Sequence, residues 1–187
     1  MFLKLEAHYL TIVVIFFITI SYGHASDGIK SSFDKYVTSL NQNDYSFVVD
    51  SIPESILLFQ AKKNNMELSE FKKIVLERYK ELYTHKPASN YAIDFKLLHS
   101  FNIDNGIIAY TVPFTFIVVQ NDGIKVKPNI ELIGINDNNR WYFIRTDEKS
   151  LMELFKNKYK KFDNIKLTPL TYTDLEDGRG KTPPYND

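Results

Sequence analysis

Near residue 90 the hydrophobic period of this chain changes from helical to alternating, and that change restricts the fold most. Before it, apolar residues recur three and four apart. Ile29, Phe33, Tyr36, Val37 and Leu40 form one helical stripe. Asn41-Gln42-Asn43-Asp44 ends that helix, and Asp44 is placed to cap a short second one carrying Phe47, Val48 and Ile52. Pro53-Glu54-Ser55 reads as the first turn of a third, with Ile56, Leu57, Leu58, Phe59 and Ala61 following. A longer helix is predicted from about Glu67 to Thr84, with Leu68, Phe71, Ile74, Val75, Tyr79 and Leu82 facing inward.

From Tyr91 the period is two. Tyr91, Ile93, Phe95, Leu97, His99 and Phe101 share one parity, and Asp94, Lys96 and Ser100 the other, which predicts one strand with a solvent face. Asp104-Asn105-Gly106 and Asn121-Asp122-Gly123 are turns, because Asn and Gly accept positive φ. Two long strands lie between and after them, Ile107 to Val119 and Ile124 to Ile135. Pro113 and Pro128 inside them predict bulges or edge segments, since proline gives no donor to a ladder. Asn136-Asp137-Asn138-Asn139 is a further turn, Trp141 to Arg145 a fourth strand, and Thr146 or Asp147 the cap of a short C-terminal helix with Leu151, Leu154, Phe155 and Tyr159. Helices followed by consecutive hairpins mean α+β: N-terminal helices packed on a bent, antiparallel four-stranded meander. A bent sheet around a long helix makes a cone.

The ends and the composition bound the function. Tyr9 to Tyr22 is an uncharged, mostly apolar run after Lys4, and Gly23-His24-Ala25 offers small residues before Ser26. That is a signal-peptide pattern, so residues 1–25 are expected to be removed and the protein to be periplasmic or secreted, with no membrane span after cleavage. Residues 26–163 then form the domain, and the polar, Pro-rich residues 164–187 are expected to be an unstructured tail. There is no Cys, so disulfides, thiolate chemistry and Cys–metal sites are excluded. Formal net charge is zero and no basic stripe runs along the chain, which leaves nucleic-acid binding without an electrostatic footprint. Of four His, two lie in the leader and the others are His85 and His99, with no pair at ligand spacing; neither metal nor cofactor is expected.

Candidate site residues follow from strand parity. His99, between Leu97 and Phe101, is either a core His satisfied by a carbonyl or hydroxyl, or a buried acid/base. Tyr110 and Thr111 sit mid-strand, so one of them faces the cone; Glu131 alternates with Leu132 as a pocket carboxylate; Arg145 ends the last strand, as a rim anion binder or a partner of Asp147 or Glu148. Trp141, the single Trp, has Phe143 on its own parity, with Tyr142 and Ile144 on the other, and is placed as strand core or pocket wall.

Three stretches resemble the nuclear transport factor two-like superfamily, the cystatin-like α+β cones. They are Phe33-Asp34-Lys35-Tyr36 through Leu40-Asn41-Gln42-Asn43-Asp44-Tyr45; Ile52-Pro53 with Ile56, Leu57, Ala61 and Met66 to Phe71; and Ile130 to Ile135 followed by Arg140-Trp141-Tyr142-Phe143-Ile144. The resemblance covers roughly residues 27–160 and implies an exported bacterial member. Enzymes of that superfamily use a pocket His or Asp, and ketosteroid isomerase-like members a pocket Tyr. Cones of this kind often pair sheet to sheet. With no convergent polar set in the sequence, the first expectation is a non-catalytic binding or interaction module, in one form an immunity or accessory protein acting on a partner protein. A homodimer through the sheet belongs to the same expectation, since helices on one face would leave an apolar face uncovered; so does a small apolar ligand. The alternative is a small-molecule isomerase, dehydratase or hydrolase built on His99, Tyr110 and Glu131.

Overall fold

A computed structural model describes residues 28–85, 88–120, 123–176 and 180–181. The leader expected over 1–25 lies outside the described residues. The chain divides into two compact units, Met1–Lys35 and Tyr36–Asp187. Of the first, the described residues are helical, and the helix α1 spans 28–41. The second unit holds the remaining helices and the sheet.

Asparagine ends the early helices. Asn43 takes φ 58° after α1, while Asp44 N bonds back to Ser39 O and Asn43 N to Leu40 O. This is the left-handed stop that satisfies last-turn carbonyls. Asp44 then caps α2 (Tyr45–Asp50), its side chain accepting from Phe47 N. Pro53 opens α3 (Glu54–Lys63), and Asn65 at φ 54° closes it, with Met66 N on Ala61 O. Helix α4 (Leu68–His85) follows.

Among the described residues the sheet is antiparallel and has seven strands rather than four: β1 (Ala88–Ile93), β2 (His99–Asp104), β3 (Ile107–Val119), β4 (Lys125–Asp137), β5 (Arg140–Arg145), β6 (Thr171–Asp174) and β7 (Gly180–Lys181). Helix α5 (Lys149–Lys158) and a short 3-10 turn at Phe162–Asn164 lie between β5 and β6. The single strand expected over 91–101 is two strands. Asp94 caps a 3-10 turn at Phe95–Leu97 by accepting from Lys96 N, so the alternation breaks there, and β1 and β2 pair separately with β3. Leu97 is exposed in consequence.

The prolines shift no register. From Ile108↔Asn136 to Val118↔Val126 the β3–β4 alignment is constant, and the bulges lie instead in β1 and β2. Pro113 stands in the gap between β1 and β2, where its carbonyl accepts from Asp94 N and no strand calls for its missing donor. Pro128 stands where the β3–β4 pairing pauses, between Asn129 and Val126. Asn138 and Asn139, both with φ near 60°, make the two-residue β4–β5 turn.

Both faces of the sheet are covered. Residues directly opposite each other in a ladder share a face. One face carries Tyr110, Val112, Phe114, Leu132, Gly134, Phe143 and Arg145. Tyr36 of α1 stacks on Phe143 at 4.7 Å between centroids, and Tyr91 stacks on Phe114 and Phe116. The other face carries Ala109, Ile133, Ile135 and Ile144, packed with Ile56 and Leu57 of α3, Met152 and Phe155 of α5, and Tyr159, Phe162 and Ile165. The premise that helices cover one face only, from which an uncovered apolar sheet followed, therefore does not hold. The tail expected to be unstructured from Asn164 also supplies buried Ile165 and strand β6, which pairs with β4 from Val126↔Asp174 to Asn129↔Thr171. A polar segment joins a sheet without a large apolar contribution when a strand edge supplies its backbone partners.

Strand edges are closed by local groups. Asn41 donates to Tyr91 O and accepts from Tyr91 N at β1, Ser51 O takes Phe143 N at β5, and Lys161 N reaches Ile103 O at β2. These bonds occupy the backbone groups through which edges otherwise aggregate.

Candidate functional site

A cluster of charged and phenolic side chains gathers at the end of β5 around buried Arg145. Arg145 is the last strand residue, on the face shared with Leu132 and Phe143, and its side chain is 8 % exposed. The chain turns at Thr146–Asp147 into α5, so Asp147 and Glu148 fall beside the guanidinium. Nε donates to Asp147 Oδ1 at 3.0 Å and Nη2 to Oδ2 at 2.6 Å, a bidentate fork; Nη1 donates to the Tyr83 hydroxyl. Glu148 Oε1 lies 3.7 Å from Nε, and the guanidinium sits 5.0 Å above the Phe116 ring.

Tyrosines complete this hub. The Tyr79 hydroxyl donates to Glu148 at 3.3 Å, and Tyr83 stacks on Tyr45 at 5.0 Å. Burial pushes the Tyr36, Tyr79, Tyr83 and Tyr91 hydroxyls above their ordinary range, and in each the Glu148 or neighbouring phenol charge adds to it, opposed by Arg145. They are neutral donors. Glu148 is also raised from its ordinary value: burial dominates, Arg145 opposes it and the Asp147 charge reinforces it. Asp147 takes the bidentate fork, and Glu148 stands farther from the guanidinium as a second carboxylate.

The residues nominated from the sequence do not converge. His99 lies opposite Thr111 at the start of β2, on the same face as Phe101, but it is exposed there directly after the 3-10 turn. Thr111 is buried on the face of Ile133. Glu131, two residues along from Ile133, shares that face, whereas Tyr110 lies on the opposite one. A reacting group cannot bridge the two faces of a sheet. Trp141 is half-buried, 5.8 Å from the Tyr110 ring and 6.1 Å from Phe143, which continues the aromatic row to Tyr36. Glu131 is buried and occupied by the tail: its Oε1 accepts from Thr168 N at 3.0 Å and from Thr168 Oγ at 2.6 Å. Of the candidates, Arg145 alone enters the hub, as the partner of Asp147 and Glu148. Among the described residues no group of three or more His, Asp or Glu is arranged for a metal.

Tyr83 and Thr168 were not legible. In α4 the inward position after Tyr79 is either three or four residues on; Leu82 is 52 % exposed and Tyr83 buried, so the stripe takes the longer step. Nothing local marked Thr168, whose partner lies 37 residues away.

Among the described residues no helix is long and apolar enough to cross a membrane. No family model, curated protein or solved structure matches the chain. The class defined by the fold is therefore the broad one, an α+β unit of helices followed by a curled antiparallel sheet.

Proposed function

We propose that this is an exported, non-catalytic interaction module built on a nuclear transport factor two-like cone, which acts by binding a partner protein. One observation carries the reading. The buried ionisable groups at the end of β5 are committed to one another, with Arg145 held by Asp147, Glu148, Tyr83 and the Phe116 ring. A guanidinium already forked onto a carboxylate has little left for a substrate. Function then falls to surfaces, among them exposed Leu58 and Phe59 on α3. A periplasmic or secreted location accords with the leader pattern, and a toxic partner to be capped is one form the partner takes; a second copy of the chain is another. Crosslinking of the exported, tagged protein in its own envelope tests the proposal. A defined protein adduct, lost on charge-neutral substitution of the crosslinked surface, is expected; recovery of free monomer alone across growth conditions refutes it. N-terminal sequencing of the exported chain is expected to begin at or near Ser26.

A second reading is favoured by Glu148. A half-buried carboxyl with a raised pKa, hydrogen-bonded by Tyr79, has the properties of a general acid/base. A small-molecule isomerase, dehydratase or hydrolase would rest on this residue and not on His99, Tyr110 and Glu131. Turnover of any carbonyl or ester substrate that is lost in Glu148→Gln, in a protein of unchanged fold, would establish it.

A further inference from the structure

We propose that the β4 edge over Val126–Glu131 is a strand-acceptor site for an extended segment of a partner protein bearing hydroxyl side chains, and that residues 166–176 of this chain are its displaceable resident. The inference rests on the reading of the protein as an interaction module and names the surface that module uses.

The outer edge of β4 is shared by two strands of different origin. Strand β5, tied to β4 by a two-residue turn, covers Leu132 to Asp137, and β6 covers Val126 to Asn129. At the junction, Glu131 N donates to Thr146 Oγ and Thr146 N donates to Glu131 O, which closes off β5. Beyond it the edge depends on a segment that reaches it only after α5 and the 3-10 turn. Four residues of ladder and the bond from Leu175 N to Lys125 O at 3.0 Å make up its backbone hold on β4, while its other edge carries only the two-residue β7.

The side-chain hold is polar and regularly spaced. Thr168 gives both its N–H and its hydroxyl to Glu131 Oε1. Asn129 Nδ2 donates to Thr171 Oγ at 3.4 Å and Thr173 Oγ at 3.3 Å. Hydroxyls at the first, fourth and sixth positions of Thr168-Pro169-Leu170-Thr171-Tyr172-Thr173 are thus read by one carboxylate and one amide. The apolar residues flanking this stretch contribute little, since Leu167 and Leu175 are both more than one-third exposed. A short strand held by few apolar contacts belongs to the low-stability end of a fold.

Glu131 shows that the resident is an imperfect fit. Its Oε2 is buried and meets no donor, although a buried carboxylate oxygen ordinarily has one. An incoming segment that supplies a second donor beside its first hydroxyl satisfies what Thr168 leaves open, and replaces the resident strand bond for bond. Tyr172, opposite Pro128, lies on the other face of the sheet. Strand addition to an edge is a common mode of peptide recognition, in which the backbone supplies affinity and alternate side chains specificity.

The test uses the intact chain and a fluorescent peptide of residues 166–176 (KLTPLTYTDLE). In a chain carrying Thr168→Ala, Thr171→Val and Thr173→Val the resident is weakened, and the peptide is expected to bind at least tenfold more tightly than to the unmodified chain. Adding Glu131→Ala is expected to weaken that binding tenfold or more, and a peptide with its three threonines replaced by valine is expected not to compete. In the unmodified chain, amides of residues 171–174 are expected to exchange at least a hundredfold faster than those of 132–135. Absence of peptide binding to a weakened-resident chain with an unchanged thermal melt overturns the proposal. So does protection of 171–174 equal to that of 132–135. A crosslinked partner that maps to another surface overturns the acceptor site while leaving the interaction module standing.

Discussion

Replacing Arg145 by methionine tests whether the hub at the end of β5 is held by charge or by packing. Methionine keeps an unbranched, apolar side chain over the Phe116 ring, so little volume is lost. What disappears is the cation between Asp147 at 2.6 Å and Glu148 at 3.7 Å, together with the donor to Tyr83. At an effective dielectric of about 20, one charge pair near 4 Å is worth about 4 kcal/mol. The lost desolvation cost of the guanidinium offsets part of this, and the Asp147 side chain, one-quarter exposed, regains part of its hydration. Breaking a buried pair from one side typically costs about 3–5 kcal/mol, and partial exposure places this case near 3. For a domain of this size that corresponds to a melting temperature lower by roughly 6–12 °C. The loss should depend on pH. With the guanidinium gone, the raised Glu148 carboxyl loses the charge that opposes its burial, and it is neutralised as pH falls. Urea or thermal melts of the variant and the parent at pH 7 and pH 4 read this directly, with the difference expected to shrink by more than half at pH 4. A loss under about 1 kcal/mol at pH 7, on the scale of an exposed pair, would refute the electrostatic account. An equal loss at both pH values would show that packing alone is at stake.

Glu148 should behave in the opposite sense to a paired carboxylate. Its folded pKa lies above the ordinary 4.5, so folding takes up a proton between the two values; the stability it contributes is complete below about pH 4 and lost as pH rises through the folded value. Glu148→Gln keeps an acceptor for Tyr79 and should flatten that fall, raising the melting temperature at pH 7 while leaving it unchanged near pH 4. In α4, Leu82→Lys should alter stability by less than about 0.5 kcal/mol, whereas Tyr83→Ala should cost about 3 kcal/mol or more, as a buried ring and the acceptor for Arg145 Nη1 are lost; comparable effects of the two would mean the helix is rotated. Asn41→Ala removes both side-chain bonds to the Tyr91 backbone and should cost about 1–2 kcal/mol while exposing the β1 edge, measured as a lower urea midpoint and faster thioflavin-positive aggregation on agitation.

The sequence alone determined the features that depend on neighbours within one or two turns. Asp44 caps α2, Pro53 opens α3, Asn138-Asn139 turns the chain into β5, and the helices precede an antiparallel sheet, because local backbone geometry and hydrophobic period decide each of these. The tertiary structure decided everything that hangs on register and on distant partners. An Asp94 side chain bonded to Lys96 N splits the expected first strand, and His99 then opens β2 as an exposed end residue although it shares the face of Phe101. Helix α5 and α3 reached the second sheet face, which local pattern does not reveal because any apolar stripe fits either face. Thr168 found Glu131 across 37 residues, turning a polar tail into an edge strand. Arg145 was placed beside Asp147 and Glu148 by adjacency in the chain, but the tyrosines that surround them come from helices α1 and α4 and strand β1. Burial, which raises every one of those phenols, exists only once those elements have docked.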